Sequence, residues 1–340
     1  MKLSENAVNI IKNTTKDKPH LKFTVGVLNN GETHCKLFND TRELPYESHI
    51  YEIGSLGKVF TTSLLAKLVS EGKMNLDDPV NKYISDLDDV DYPPTLKKLA
   101  THTAGYPSTY PIVKGEVFRL IMKQIRGMIK KTPMKAQEYL HMDYERMIFL
   151  AKEAKLKDKD YAWSYSNYGY GLLGHAISRT VKSSFWDAMN AFLSEDLHLK
   201  NTFLGTNSPN ILTGYNHLNQ NVGNWGLGAE DFLTPAGNIS SNAEDLLVFA
   251  KMNIEDNPNY LELCHTRYDM QSKHSDMGLG WWIDYKNPSI YYHGGNVDGF
   301  ASMLAFDKHK KTAVVLLANV NFYKGREQLF MEILSNLQRK

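Results

Sequence analysis

Ser55 and Lys58 stand three residues apart in Gly54-Ser55-Leu56-Gly57-Lys58, at the start of a run of helically spaced apolar residues. Residues i and i+3 share a helix face, so the lysine amine can reach the serine hydroxyl. A serine hydroxyl is a weak nucleophile until a neighbouring base takes its proton. Lysine serves as that base only where burial or nearby charge lowers its pKa. A helix N-terminus at Ser55 also offers a backbone N–H where an oxyanion would develop. The same tetrad arises wherever a serine caps a helix and the lysine is solvated, so its meaning depends on what the rest of the chain supplies.

Two further segments carry compatible chemistry. Tyr165-Ser166-Asn167 follows Trp163-Ser164 and precedes a helical pattern. In an extended stretch, residues i and i+2 point the same way, so Tyr165 and Asn167 can face one cleft. A phenol beside an ammonium is expected to have a lowered pKa and to relay protons. Asn167 can orient the lysine or donate to a substrate carbonyl, or it can simply cap the helix that follows. His293-Gly294-Gly295 ends a β-rich run at Ser289–Tyr292. Glycines at such a place let another backbone approach closely, and a backbone N–H there can be a second oxyanion donor. A bulge or turn would use the same residues.

In this order, the three segments resemble the Ser-x-x-Lys, Tyr-x-Asn and Lys-Thr-Gly (often His-x-Gly) set of class C β-lactamases and related penicillin-binding proteins and esterases. Leu99-Ala100-Thr101-His102-Thr103-Ala104-Gly105 is similar to the family's Leu-Leu-x-His-Thr-Ser-Gly, and Pro235-Ala236-Gly237-Asn238-Ile239-Ser240-Ser241 to its Pro-Ala-Gly-Gly-x-x-Ser. The resemblance spans about residue 20 to the end. It implies that Ser55 is acylated, and that Lys58 and Tyr165 take its proton and return it to the leaving group. It implies that Asn167 positions the acyl side chain and Lys58, and that the N–H groups of Ser55 and Asn296 form the oxyanion hole. His293 then sits where the third motif's lysine would be. Gly57 replaces the family's Ser or Thr before the motif lysine. His293 and Gly294 replace the Lys-Thr pair that helps hold a β-lactam carboxylate. Losing one charge-assisted hydrogen bond costs ~1.5–3 kcal/mol, so weak or no β-lactamase activity is expected. Esters, amides and peptides containing D-amino acids are the expected substrates, hydrolysed through an acyl-enzyme. A catalytically weak penicillin-binding or scaffolding protein on the same fold is the alternative. Gly169-Tyr170-Gly171-Leu172-Leu173-Gly174 matches a dinucleotide fingerprint in letters, but it lies outside any alternating βαβ pattern and reads as close helix packing.

The elements that must position these residues follow from periodicity. Residues 5–14 read as an amphipathic helix. Leu21–Leu28 and Thr33–Phe38 read as strands joined by a hairpin at Asn29-Asn30-Gly31. Ser55–Glu71 is a helix, with Val59, Phe60, Leu64, Leu65 and Leu68 inward and Gly72 at its end. Helices are predicted at Thr95–Ala100, Val117–Lys130, Tyr144–Glu153, Tyr168–Ser178, Phe185–Asp196, Asn242–Asn253 and about Lys324–Leu337. Strands are predicted at Gly278–Asp284, Ile290–His293, Phe300–Phe306 and Thr312–Ala318. The fold class is therefore α+β. One antiparallel sheet is built from N- and C-terminal strands flanked by helices (residues 1–76 and 240–340), with an all-helical region inserted (residues 77–239) and the site at their junction. The long span between Ser55 and Tyr165 implies extra helical material around residues 113–150 that forms a lid or pocket wall.

Composition is that of an ordinary globular protein: of 340 residues, 42% are hydrophobic and 23% charged, near globular averages. A net charge of +1, from 39 basic and 38 acidic residues, offers no field for nucleic acid or anionic membrane. The partner is thus expected to be a small-molecule or peptide acyl substrate, with oligomeric state undetermined. Cys35 and Cys264 are expected to be free, and the scattered histidines lack metal-ligand spacing, so no cofactor or metal is expected. The first residues lack the apolar stretch of a signal peptide, and no run approaches ~18 apolar residues. The expectation is a cytoplasmic protein without a membrane span; a removed leader replaced by Met1 would read the same.

Overall fold

The structure is a computed structural model and describes residues 3–108, 122, 143–229, 231–268, 275–321 and 326–337. Helix α1 (Glu5–Thr15) is capped by Ser4, whose hydroxyl accepts the Ala7 N–H. Strands β1 (Phe23–Asn29) and β2 (Glu32–Asn39) pair in the register Asn29↔Glu32, leaving Asn30 and Gly31 as a two-residue turn. Both turn residues have positive φ (52° and 78°), as a type I′ hairpin requires. Then come β3 (Arg42–Leu44), β4 (Tyr51–Glu52), a 3-10 turn at Gly54–Leu56 and α2 (Gly57–Ser70).

The middle of the chain holds α3 (Leu96–Ala100), α4 (Tyr144–Glu153), α5 (Asn167–Val181) and α6 (Phe185–Ala191). Thr95, Asp143, Ser166 and Ser184 cap them in turn, each side chain accepting a backbone N–H of the first turn. Helix α6 does not run on to Asp196 as predicted; it passes into a wider π turn at Phe192–Asp196. Short strands β5 (Phe203–Leu204), β6 (Gly214–Tyr215) and β7 (Asn221–Gly223) also lie here, followed by α7 (Thr234–Gly237). Then β8 (Ile239–Ser241) pairs with both β4 and β5. Helix α8 (Ala243–Glu255) is followed by β9 (Ser275–Met277), β10 (Trp282–Asp284), β11 (Ile290–Val297), β12 (Phe300–Asp307), β13 (Thr312–Ala318) and α9 (Arg326–Leu337). The helix predicted at Val117–Lys130, and residues 113–142 of the extra material apart from Met122, lie outside the described residues.

The main sheet has the order β3-β2-β1-β13-β12-β11-β10-β9 and is antiparallel throughout. Its strands come from both ends of the chain, joined where β1 meets β13 in the register Phe23↔Ala318 to Leu28↔Ala313. Both faces are covered. Phe23, Val25, Val27, Met303, Val314 and Leu316 pack under α1 and α9, whereas Leu304, Phe306, Val315 and Leu317 pack with residues of α2 and α8. Burial on two sides is why β12 and β13 read as unbroken apolar runs rather than alternating ones.

Two strand predictions need correction. Of the strand expected at Gly278–Asp284 only Trp282–Asp284 forms, as β10; β9 ends at Met277, before the expected start. Between them the Gly278 N–H donates to the Trp281 carbonyl (2.8 Å) and the Leu279 N–H to Cys264 (3.0 Å). A β-carbon at Gly278 would lie 2.0 Å from the Cys264 carbonyl oxygen, so the turn exists because glycine lets two backbones touch. Strand β11 does not stop at His293; it carries the whole His-Gly-Gly motif within it and ends at Val297. Cys35 and Cys264 are free thiols. Among the described residues, no helix is long and apolar enough to cross a membrane.

Candidate active site

Ser55 sits in the 3-10 turn ahead of α2, and glycines clamp that turn in place. Gly54 has φ 53°, and a β-carbon there would lie 3.1 Å from the Asn296 backbone nitrogen of β11. Gly295 presses closer still: its β-carbon would fall 1.8 Å from the Ile53 carbonyl oxygen. That oxygen accepts the Ser302 hydroxyl of β12 (2.7 Å), while the Ile53 N–H donates to the Ile239 carbonyl of β8 (2.9 Å). On the other side, Gly237 approaches Gly54 and Ser55 closely enough that its β-carbon would lie 3.2 Å from the Ser55 nitrogen. The serine is thus fixed between β11 and the segment ending α7.

Lys58, the second residue of α2 and one turn past Ser55, is 0% exposed. Its Nζ lies 2.7 Å from Asn167 Oδ1, 2.6 Å from the Ala236 carbonyl and 3.2 Å from Ser55 Oγ. Burial pushes its pKa well below the usual lysine range. A neutral amine has two N–H groups and one lone pair. The first two are taken by Asn167 and Ala236, which leaves the lone pair for the Ser55 O–H. The α7 segment that supplies the Ala236 carbonyl is itself tied to α2, because the Thr61 hydroxyl donates to the Pro235 carbonyl (2.7 Å).

Tyr165 occupies the extended segment before α5, and its phenol is hydrogen-bonded to Ser55. Lys58 Nζ stands 4.8 Å from the Tyr165 ring centre and 5.3 Å from that of Tyr170. The expectation of a lowered phenol pKa is overturned: burial raises it, and the hydrogen bond with Ser55 offsets only part of that. The reason is that burial outweighs what its neighbours supply: the adjacent amine is desolvated too, its own pKa lowered by the same burial. The helix cap is Ser166, not Asn167: the Ser166 hydroxyl accepts the Gly169 N–H (2.9 Å), which frees the Asn167 side chain for Lys58. The Asn167 N–H donates to the Ser108 carbonyl (2.8 Å).

His293 is 2% exposed, with its Nδ1 donating to the Gly294 carbonyl (2.8 Å). Strand alternation puts Gly294 on the opposite face from Gly295; a β-carbon at Gly294 would meet Ser302 and Met303 of β12 rather than the serine turn. The structure therefore brings Ser55, Lys58, Tyr165 and Asn167 into one hydrogen-bonded group, with the Gly295-Asn296 backbone against it. A β-carbon at Gly57 would lie 3.4 Å from the Gly237 α-carbon, an ordinary van der Waals contact. Sequence reasoning gave no role to the Ala236 carbonyl, to Tyr170 or to His102, whose ring lies 4.6 Å from that of Tyr165. Tyr170 and His102 both fall in segments that matched a pattern, but nothing in the letters shows that they meet. Among the described residues, no group of three or more His, Cys, Asp or Glu side chains gathers at metal-binding spacing.

The sequence profile of the Beta-lactamase family matches residues 10–336. A "Beta-lactamase" of Providencia stuartii is 25% identical over 360 aligned positions, covering 92% of this chain and 85% of that protein. The chain spans about half the length (53%) of the Staphylococcus aureus relatives called "Protein flp". The class C beta lactamase of Rhodobacter sphaeroides superposes with a TM-score of 0.77 at 19% identity, covering 98% of this chain and 100% of that one. A D-stereospecific amidohydrolase from Streptomyces sp. superposes at 0.75 and 18%, covering 97% and 98%. These last two likenesses are of fold. With a glycine-clamped serine, a buried lysine and a tyrosine in contact, and a family profile matching nearly its whole length, the chain belongs to the serine beta-lactamase and penicillin-binding-protein-like family.

Proposed function

We propose that this protein is a serine hydrolase that forms a covalent acyl-enzyme at Ser55. Lys58 Nζ, fully buried and 3.2 Å from Ser55 Oγ with its other hydrogen-bonding positions filled, is the observation that carries the reading. The Ser55 proton passes to Lys58 as Oγ attacks the acyl carbon. The resulting oxyanion is held by the N–H groups of Ser55 and Asn296. The proton then moves through the Tyr165 hydroxyl to the leaving group as its bond to the acyl carbon breaks, and water reverses the sequence to release the acid. Tyr165 works as a neutral phenol, which gives up and receives a proton in the same step. The acyl chain lies along β11 at Gly294 and Gly295 beside His293 and Asn167, in the cleft between the sheet unit (residues 1–76 and 240–340) and the mainly helical unit (residues 77–239).

The substrate is an ester, an amide or a peptide containing a D-amino acid. The likeness to a D-stereospecific amidohydrolase supports amides, and His293 in place of a lysine disfavours β-lactams. The test is intact mass spectrometry and peptide mapping after incubation with a fluorophosphonate. The expected result is one adduct, on Ser55, absent from Ser55→Ala. An unmodified wild-type protein, or an adduct elsewhere, refutes the assignment.

A further inference from the structure

His102 brackets Tyr165 with two hydrogen bonds. It lies just past α3, 2% exposed, with φ 60°. A residue bearing a β-carbon holds this left-handed conformation at some energetic cost. Its carbonyl accepts the Ser164 N–H (2.9 Å) and its Nδ1 accepts the Ser166 N–H (3.0 Å). The amides on both sides of Tyr165 are therefore fastened to one residue. The His102 ring lies 4.6 Å from the Tyr165 ring and 5.1 Å from that of Tyr170, so the phenol is held laterally as well. An accepting Nδ1 puts the ring proton on Nε2, which is buried and has no hydrogen-bond partner among the described residues. A buried donor left unpaired is costly. The ring thus keeps the Ser166 amide satisfied at the expense of its own N–H.

We propose that His102 is a positioning residue that holds Tyr165 against Ser55 without exchanging a proton itself. This rests on the reading of Ser55 as nucleophile. Burial keeps the imidazole pKa well below its usual value, so Nδ1 remains an acceptor through neutral pH.

The test compares His102→Asn with His102→Leu. Asparagine tolerates positive φ and presents an acceptor oxygen at the position of Nδ1; leucine does neither. On p-nitrophenyl acetate, His102→Leu is expected to lose about 10²-fold in kcat with KM within about twofold. His102→Asn should recover to within about tenfold of wild type. In a Tyr165→Phe background, where there is no phenol left to place, the leucine change should cost less than about threefold. Equal impairment of the two variants, or an undiminished loss in the Tyr165→Phe background, overturns the proposal. Should the leucine protein not fold, His102→Gln, whose amide reaches one methylene too far, takes its place with the same expectations. Ser55→Ala in the same assay keeps the two claims apart. Turnover surviving there refutes the nucleophile, whereas its loss beside an unimpaired His102→Leu enzyme refutes only the positioning role.

Discussion

Replacing Gly295 by alanine tests whether the glycine contact between β11 and the serine turn sets the geometry of the reaction. The new β-carbon would lie 1.8 Å from the Ile53 carbonyl oxygen and 2.7 Å from Ser302 Oγ, where real contacts stay beyond 3.0 Å. The Ile53 oxygen is backbone and already accepts the Ser302 hydroxyl, so it cannot swing aside as a side chain would. The turn and the strand must therefore separate by about 1.2 Å, and the Asn296 N–H moves away from Ser55 with the strand. A displacement near 1 Å costs ~10²-fold in rate, and losing one oxyanion donor outright costs ~10²–10³-fold. Overpacking of this size destabilises by ~1–3 kcal/mol, which a chain of this length survives. The expected outcome is a folded Gly295→Ala protein whose kcat/KM on p-nitrophenyl acetate is down about 10²-fold, with fluorophosphonate labelling slowed in proportion. Gly294→Ala, whose nearest contact would be 3.3 Å, should lose at least about tenfold less. A folded Gly295→Ala enzyme with wild-type kcat/KM, its stability lowered or not, refutes the clamp argument.

Lys58→Met and Tyr165→Phe should each slow acylation by ~10²–10⁴-fold in pre-steady-state measurements, and an unchanged rate in either removes that residue from the proton path. Nitrocefin should be hydrolysed far more slowly than simple esters; rapid turnover would show that His293 replaces the missing lysine adequately. Glu52, 5% exposed and accepting the Trp225 and Gly226 N–H groups at 2.8 and 3.1 Å, has its pKa raised by burial from 4.5 to about 7. Because the folded state holds this proton after the unfolded chain has released it, the stability that Glu52 contributes is greatest below pH 4.5 and is lost as pH rises towards about 7, by roughly 3 kcal/mol. Glu52→Gln should flatten that slope in urea titrations, and an unaltered slope assigns it to other groups.

The parts of the fold that were legible in the sequence are those with a repeating cause. Val59, Phe60, Leu64, Leu65 and Leu68 recur at helical spacing along α2, which is buried on every side from Gly57 to Ala66, and Asn30-Gly31 marks a turn because few other pairs adopt two positive φ values. Strands β4 and β8 pair over two residues, too few to show any period. The run from Gly278 to Asp284 looks like one strand because its break depends on the Cys264 carbonyl, distant in sequence. Ser55, Lys58, Tyr165 and Asn167 were legible because side-chain chemistry marks them. The partner that completes Lys58 is a backbone carbonyl, and no letter encodes a carbonyl. The direction of the Tyr165 shift was misjudged for a related reason: spacing shows which groups meet, whereas burial decides whether they meet as ions.

The account turns on Lys58 being a neutral amine at the pH where the enzyme works. The acylation rate constant of wild-type protein, measured by stopped flow from about pH 5 to pH 10, reads this directly. The rate should lie on a plateau through neutral pH and fall only on the acid side, as Lys58 takes up a proton. A rate that instead climbs steadily towards ~10.4, the ordinary lysine value, would mean that the amine is charged at neutral pH and cannot be the base.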